Sequence, residues 1–255
     1  MRKDQIGIQL YTLRALAAKD FDATLAEVAK AGYPGVEFAG FQGLSATEVR
    51  ALLDKHGLQA FSAHIPIDQF RNDIDGVISD LQTIGASWGI VPWIAPESRT
   101  PEAFAKLGEE FNAYGTALQA AGLKFGYHNH NFEFEQTAED GRTIWDAMIA
   151  GTEPGVVSFE LDAFWAEVGG YDAAAVIRAT PDRIRLVHLK DASREDPRKD
   201  VPFGKGVLDW GAILSAARDA GVEYYITEQD NPSESDPVGD VTVAFQNAVQ
   251  AAQAS

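Results

Sequence analysis

The sequence predicts an α/β protein built as a single (β/α)8 TIM barrel, with residues 1–255 forming one domain. Eight short apolar runs alternate with longer amphipathic segments at a spacing of roughly 30 residues, the pattern of parallel strands joined by helical crossovers. Several runs are almost continuous in Val, Ile, Leu and Phe, as expected for strands covered on both faces. A length of 255 residues is typical of one barrel. No Gly-rich dinucleotide fingerprint follows the first run, which disfavours a Rossmann fold.

The predicted strands are the short apolar runs. In chain order they are IGIQLY (6–11), GVEFAG (35–40), QAFSAHI (59–65), WGIVPWI (88–94), KFGYHNH (124–130), VVSFELD (156–162), IRLVHLKD (184–191) and YYITEQD (224–230).

The segments between the strands are predicted helices, because their apolar residues recur at helical spacing. Four of them stop at a glycine, which suits the left-handed cap of a helix. These four are DATLAEVAKAG (22–32), TEVRALLDKHG (47–57), PEAFAKLGEEFNAYGTALQAAG (101–122) and WGAILSAARDAG (210–221). Pro101 and Asp209 stand where helices begin, since proline suits the first turn and aspartate caps exposed amides.

The charge and the cysteine content exclude several classes of function. Thirty-eight acidic against 21 basic residues give a net charge of −17, which repels nucleic acids and anionic membranes. There is no cysteine, so a metal would be held by oxygen and imidazole ligands. We see no secretory signal or membrane-spanning run and expect a cytoplasmic protein. The number of subunits is left open, a homo-oligomer included.

Polar residues stand at the carboxyl end of every predicted strand, where a parallel barrel builds its active site. Four of the five histidines fall there. In chain order the strand ends carry Gln9 and Tyr11, Glu37, His64, Trp93, then His128, Asn129, His130 and Glu133, then Glu160 and Asp162, then His188, Lys190 and Asp191, and finally Glu228 and Asp230.

The alternation of side chains along a strand brings some of these groups to one face. His188 and Lys190 share a face with Leu186, and Glu160 shares one with Asp162. Carboxylates and one imidazole at consecutive strand ends form an oxygen-rich site for one divalent ion. We expect Mn²⁺ first, with Mg²⁺, Co²⁺ or Zn²⁺ as alternatives, and the ion would leave positions open for substrate oxygens.

Several motifs carry a family resemblance. YHNHNFEF, LDAFW, VHLKD and TEQD, together with FGKGVLDW (203–210), resemble the xylose-isomerase-like TIM barrel superfamily in its sugar phosphate isomerase/epimerase branch. The resemblance implies one metal ion held by Glu133, Asp162, His188 and Glu228. It also implies that Glu133 and Glu228 exchange protons with a small carbohydrate from opposite sides.

Two departures from the family pattern stand in this chain. Many relatives have a histidine three residues after the strand-six aspartate, where this chain has Trp165. Strand five reads HNH where epimerases commonly have a glutamate at the strand end, so the first carboxylate ligand comes from downstream, at Glu133 rather than Glu135.

The chemistry predicted from a metal ion is proton transfer through an enediolate, because the ion acidifies the C–H bond beside a chelated carbonyl. The candidate catalytic residues are Glu133, Glu228, His130 and Lys190. The candidate substrate-binding residues are Glu37, His64, Trp93, His128 and Trp165, and we expect Glu160 to support a metal ligand.

Returning the proton to a sugar carbon would make the protein an isomerase or epimerase of a small keto sugar, which is the function we expect. A metal-dependent lyase that dehydrates an inosose or eliminates from a 3-keto-glycoside is the alternative. A related apurinic endonuclease is disfavoured by the charge of −17. A sugar-binding barrel without activity is a further alternative. The charged segment DASREDPRKD (191–200) is either a flap over the site or plain surface.

Overall fold

Eight parallel strands close into a barrel in the computed structural model, which describes residues 1–135 and 141–254. The strands follow one another around the barrel in chain order, and the first pairs with both the second and the last. Their bounds are β1 Ile6–Gln9, β2 Gly35–Phe38, β3 Gln59–His64, β4 Trp88–Val91, β5 Lys124–His128, β6 Val157–Asp162, β7 Ile184–Leu189 and β8 Tyr224–Thr227. The predicted (β/α)8 fold is therefore confirmed.

Helices form the outer layer of the barrel. They are α1 Arg14–Ala17, α2 Phe21–Ala31, α3 Ala46–His56, α4 Ile67–Asn72, α5 Ile74–Ile84, α6 Pro101–Ala120, α7 Phe132–Glu135, α8 Ile144–Gly151, α9 Ala163–Val168, α10 Ala173–Ala179, α11 Trp210–Asp219 and α12 Pro237–Ala254. The predicted stop at Gly32 is present, with a positive φ of 101° that a residue with a side chain adopts only at a cost. Within the described part of the chain, no helix combines the length and the apolar character needed to cross a bilayer.

Several predicted strands extend too far at their carboxyl ends. The first stops at Gln9, because the Gln9 side chain accepts the N–H of Tyr11 and turns the chain into a short 3-10 helix, Leu10–Leu13. The fourth stops at Val91 rather than at residue 94. Strand β7 ends at Leu189, and Asp191 belongs to a separate hairpin. The chain leaves the sheet at these ends, and so the polar side chains lie on turns at the mouth of the barrel.

The segment from residue 191 to 200 is anchored at both ends. Asp191–Ala192 pairs antiparallel with Asp200–Val201. The buried Asp191 carboxylate accepts the N–H groups of Gly204, Gly206 and Leu208. The buried Asp200 carboxylate accepts the N–H groups of Asp230 and Asn231 after β8. The segment thus ties the loop after β7 to the loop after β8.

The floor of the barrel interior is apolar. A bulge between β2 and β3 leaves Phe61 outside the pairing register, and its ring stacks on Tyr224 of β8 at a centroid distance of 4.2 Å. The ring fills the space where a Cβ at Gly35 would lie, 2.5 Å from the nearest ring carbon. Trp88 and Leu186 complete this layer. Since the floor is filled, the interior opens only toward the carboxyl ends of the strands.

Candidate metal centre and active site

Four buried side chains meet at the mouth of the barrel and form what we call the mouth cluster. They are His128 of β5, Asp162 of β6, His188 of β7 and Glu228, which follows β8. One ligand atom from each lies within 4.8 Å of the ligand atoms of the other three. Consecutive strands of a closed parallel barrel place their last residues side by side, which explains why residues distant in the chain converge here.

The His188 ring is held from both sides. Its Nδ1 lies 2.8 Å from Glu228 Oε2 and 4.0 Å from Asp162 Oδ2, so this nitrogen faces the mouth cluster. Its Nε2 lies 2.9 Å from Glu37 Oε1 and 3.1 Å from Glu160 Oε2, on the side of the barrel floor. The ring therefore cannot turn without losing two carboxylate contacts.

The His128 ring is oriented in the same way. Its Nδ1 lies 3.1 Å from Glu160 Oε2, and its Nε2 lies 3.9 Å from Asp162 Oδ2. A carboxylate behind the far nitrogen of an imidazole is the usual support of a histidine that binds a metal. His64, His128, Glu160 and His188 also lie close enough to hold an ion. His128 and His188 belong to both groups, and Glu160 Oε2 contacts the imidazoles of His64, His128 and His188, so we interpret His64 and Glu160 as the support of the mouth cluster.

The mouth cluster fits a divalent cation. Asp162 Oδ2 is fully buried and has no hydrogen-bond partner, although Lys190 Nζ lies 3.0 Å away in an unfavourable direction. The Lys190 ammonium compensates part of the charge of Asp162, but this buried oxygen still has no hydrogen bond, which a bound cation would replace. Burial raises the pKa of Asp162 to about 6. Two imidazole nitrogens and two carboxylates suit Mn²⁺, Co²⁺ or Zn²⁺ better than Mg²⁺, which prefers oxygen ligands.

Two histidines carry the positive charge that the buried carboxylates require. Burial opposes protonation of His188, but the charges of Glu160 and Glu228 outweigh it and hold its pKa well above the ordinary value. Burial likewise opposes protonation of His64, and Glu37 and Glu160 raise its pKa to about 10. A metal ion at the mouth cluster would take over the role of the His188 proton.

Lys190 is buried among carboxylates at the edge of the mouth cluster. Its Nζ lies 2.7 Å from Glu228 Oε2 and donates a 2.8 Å hydrogen bond to Asp230 Oδ2. Burial lowers the pKa of this ammonium, but the charges of Asp162, Glu228 and Asp230 more than compensate and hold it well above its usual value. Lys190 is thus a protonated donor beside the cluster.

Glu133, predicted as a metal ligand and a proton-exchanging base, does not join the mouth cluster. The Tyr127 hydroxyl donates to Glu133 Oε1 over 2.6 Å, and the backbone N–H of His130 donates to Oε2 over 2.8 Å. Tyr127 alternates with His128 on β5 and packs on Phe104 and Phe111 of α6, so its side chain faces the helices. In this structure Glu133 therefore lies on the helix-facing side of β5, where both of its carboxylate oxygens accept hydrogen bonds. His128 is instead the fourth member of the mouth cluster.

Glu37, predicted to contact substrate, lies behind the imidazoles. It accepts hydrogen bonds from Gln9 Nε2 and Ser62 Oγ, and it contacts His64 and His188. Burial favours the protonated form, but His64 and His188 hold its pKa well below the ordinary value. Its position supports the histidines rather than contacting substrate.

A cavity of about 680 Å³ opens above the mouth cluster. Six predicted site residues line it, namely His64, Trp93, His128, His130, Lys190 and Glu228. His130 Nδ1 is buried without a hydrogen-bond partner, and burial followed by the Lys190 charge lowers the His130 pKa to about 3. His130 is therefore neutral near pH 7 and lies at the cavity wall.

Trp165, predicted as a substrate contact, lies beside the site. Its backbone N–H donates to Asp162 Oδ1 at the start of α9, which fixes one oxygen of this carboxylate. Its ring centroid lies 5.9 Å from that of His130 and 5.6 Å from Lys190 Nζ. Trp165 thus packs against two candidate catalytic groups.

A model of the family described as "Xylose isomerase-like TIM barrel" matches residues 25–241 of this chain, a range that includes the whole mouth cluster. The chain belongs to the xylose isomerase-like TIM barrel family. The resemblance drawn from the strand-end motifs is thereby confirmed.

Relatives and solved structures with this barrel include several enzymes. An inosose dehydratase of Geobacillus kaustophilus (strain HTA426) is 26% identical over 199 residues, which cover 68% of this chain and 63% of that protein. The crystal structure of a sugar phosphate isomerase/epimerase from Parabacteroides distasonis ATCC 8503 is similar with a TM-score of 0.83 at 23% identity, covering 96% of this chain and 93% of the other. The IolI protein with a bound zinc atom has a TM-score of 0.69 at 14% identity, covering 98% and 95%.

For some residues of the barrel site, the sequence predicted a different role or none at all. His128 was expected to bind substrate, but the alternation along β5 already pairs it with Gly126 on the inner face and sets Tyr127 on the outer face. Asp230 was noted only as a strand-end residue, and Asp200 was not singled out at all. The contact of Asp230 with Lys190 and of Asp200 with the Asp230 N–H depends on loop conformation, for which the sequence carries no periodic signal.

Proposed function

We propose that this protein is a metal-dependent carbon–oxygen lyase that removes a proton beside the carbonyl of a keto sugar and expels a β-oxygen substituent. The observation that carries the proposal is the placement of one neutral imidazole, His130, and one ammonium, Lys190, around a single cavity above the mouth cluster. Elimination needs a proton acceptor at carbon and a proton donor at the leaving oxygen, and this pair offers one of each. The curated relatives named inosose dehydratase support the same reaction class.

Asp162, His188, Glu228 and His128 would hold the ion. When bound, a divalent ion would supply Lewis acidity that stabilises charge on the carbonyl oxygen and so acidifies the neighbouring C–H bond. Mn²⁺, Co²⁺ and Zn²⁺ are the ions we propose for this nitrogen-containing set.

His130 is the proposed base. The residue lines the cavity and its imidazole is neutral, so the ring lies beside a ligand bound there. It accepts the proton from the carbon beside the carbonyl, and the electrons of that C–H bond form the new C=C bond. Glu228 is less suited to this role, because its Oε2 is already held by His188 and Lys190.

Lys190 is the proposed acid. The electron pair of the breaking C–O bond leaves with the β-oxygen, which takes a proton from the Lys190 ammonium. Asp230 and Glu228 hold the ammonium in place, since Lys190 Nζ lies 2.8 Å and 2.7 Å from them. His64, a partly buried imidazolium that also lines the cavity, is positioned to hydrogen-bond a substrate hydroxyl.

Isomerisation or epimerisation is the second candidate function. The solved structures named sugar phosphate isomerase/epimerase and D-allulose 3-epimerase share the fold and support it. The predicted pair of exchanging glutamates would require Glu133 at the cavity, whereas its two oxygens are engaged by Tyr127 and His130.

The test uses the Mn²⁺-loaded protein with an inosose in D2O, followed by mass spectrometry and ultraviolet absorbance. Loss of one water with formation of a conjugated product is the expected result. Deuterium uptake at carbon with no loss of water would replace this proposal by the isomerase. His130→Gln should lower kcat by about 10²–10⁴-fold. His56→Gln is the matched control, because His56 pairs with Asp22 on the outer surface and should leave the rate unchanged.

Other predictions about the protein remain predictions. They are its cytoplasmic location, the lack of a nucleic-acid or membrane partner, an oligomeric state beyond the monomer and the extent of one domain over residues 1–255.

A further inference from the structure

The cavity above the mouth cluster is larger than a monosaccharide. If each non-hydrogen atom of a hexose is given as much room as a water molecule in the liquid, about 30 Å³, the sugar fills roughly half of the 680 Å³. A cavity of this size is typical of sites for larger organic ligands. A keto sugar bound at the ion would therefore leave part of the cavity unfilled on one side.

The two sides of the cavity differ in polarity. On the side of β5, β7 and β8, the lining consists of His128, His130, Lys190, Glu228 and Asp230. On the side of β2, β3 and β4, it includes the apolar residues Phe41, Ile65, Val77, Leu81 and Trp93. Ile65, Val77 and Leu81 are buried hydrophobic residues. This side also carries the polar residues His64, Gln69 and Asp80. Polar groups therefore predominate around the position of the sugar, and apolar groups predominate around the remaining space.

The apolar side also presents aromatic faces. Trp93 is 46% exposed and Tyr11 is 43% exposed, which makes them two of the most exposed large hydrophobic residues in the described chain, and both line the cavity. The Arg99 guanidinium lies over the Trp93 ring at 4.8 Å and over the Phe132 ring at 3.8 Å. This stacking holds Trp93 at the cavity wall, where its ring can pack on a flat apolar group. Gln69 and Asp80, both exposed, stand at the outer edge of this side.

We propose that the substrate is a keto sugar carrying an aromatic or other apolar substituent, and that this substituent occupies the side of the cavity lined by Phe41, Ile65, Val77, Leu81 and Trp93. The inference rests on the proposed function, because the sugar must lie on the mouth cluster for the substituent to reach this side. Its physical basis is that apolar walls next to a polar site gain free energy when a ring replaces water.

Calorimetry on the Mn²⁺-loaded full chain tests this with two unreactive probes, phenyl β-D-glucopyranoside and methyl β-D-glucopyranoside. The expected result is that the phenyl glycoside binds at least about tenfold more tightly. Phe41→Ala should reduce that ratio to below about threefold. Tyr171→Ala is the matched control, because Tyr171 is 39% exposed and is not one of the described residues that line the cavity. Trp93→Ala is the second variant should Phe41→Ala fail to fold.

Equal affinity for the two probes would overturn the inference, and so would a failure of the phenyl glycoside to bind. A preference for the phenyl glycoside that both Phe41→Ala and Trp93→Ala leave unchanged would also overturn it. The lyase assay uses an inosose, which has no apolar substituent. If the inosose loses water and any of these binding results is found, the inference about the apolar substituent is overturned while the proposed lyase function stands. Absence of any reaction with the inosose would instead count against the proposed function.

Discussion

The Tyr127 hydroxyl donates a 2.6 Å hydrogen bond to Glu133 Oε1 on the helix-facing side of β5. This contact separates Glu133 from the mouth cluster, and His128, the next residue after Tyr127, takes the fourth position. The membership of the mouth cluster thus depends on which face of one strand a side chain occupies.

Replacing Glu133 by glutamine should leave metal content unchanged and stabilise the protein at high pH. Burial raises the Glu133 pKa to about 7 from an ordinary 4.5, and the hydrogen bonds to its carboxylate offset only part of this. The folded state therefore binds the proton more tightly than the unfolded state. The stability that the group contributes is complete below pH 4.5 and is lost as the pH rises through 7, by roughly 3 kcal/mol at most.

The melting temperatures of the wild type and of Glu133→Gln, measured at pH 5 and pH 8, check this prediction. The variant should gain stability relative to the wild type between the two values. Glu135→Gln is the matched control, since Glu135 lies two residues on and is exposed. Loss of bound metal in Glu133→Gln would restore Glu133 as a ligand and contradict the geometry.

Glu160→Gln should weaken metal binding by about 10–100-fold without abolishing it. Glu160 Oε2 lies 3.1 Å from His128 Nδ1 and 3.1 Å from His188 Nε2, so its charge orients both imidazoles from behind. The glutamine keeps the size of the side chain but removes that charge. Titration against a fluorescent chelator measures the affinity, and Glu153→Gln, an exposed glutamate near the start of the same strand, should behave as the wild type. An unchanged affinity would show that Glu160 does not support the ligands.

Asp200→Ala should lower both stability and activity. The Asp200 carboxylate accepts the Asp230 N–H and the Asn231 N–H, and Asp230 in turn holds Lys190. Removing the acceptor leaves two part-buried N–H groups without this partner, at a cost of about 1 kcal/mol in the free energy of unfolding. Urea unfolding and the inosose assay report the two effects. Glu195→Ala, an exposed change in the same segment, should alter neither, and equal effects of both variants would refute the positioning role.

Gly35→Ala should destabilise the barrel by about 1–3 kcal/mol. A Cβ at this position would lie 2.5 Å from the Phe61 ring. The ring has little room to move away, because the floor of the barrel interior is filled. Gly126→Ala is a matched control on another barrel strand, because its Cβ would meet nothing closer than 3.5 Å. Unfolding in urea compares the two. If Phe61→Leu fails to relieve the defect of Gly35→Ala, the clash is not its cause.

The amino-acid sequence by itself determined the barrel and the region of the site. Its alternation of apolar runs and amphipathic segments marks all eight strands, since strand and helix periods are local properties of the chain. The polar strand ends could be located for the same reason. The alternation within VHLKD and SFELD correctly placed His188, Lys190 and Asp162 at the barrel mouth.

Only the tertiary structure decided which side chains share the mouth cluster and which support it. Glu133 follows β5 on a short helical turn, where the alternation of strand side chains no longer applies. Its carboxylate accepts a hydrogen bond from the Tyr127 hydroxyl. Glu37 stands at a strand end as the ligands do, yet it lies one layer lower, behind His188. Depth within the barrel and the direction of a turn depend on packing between strands distant in the chain, and no local pattern in the sequence encodes them.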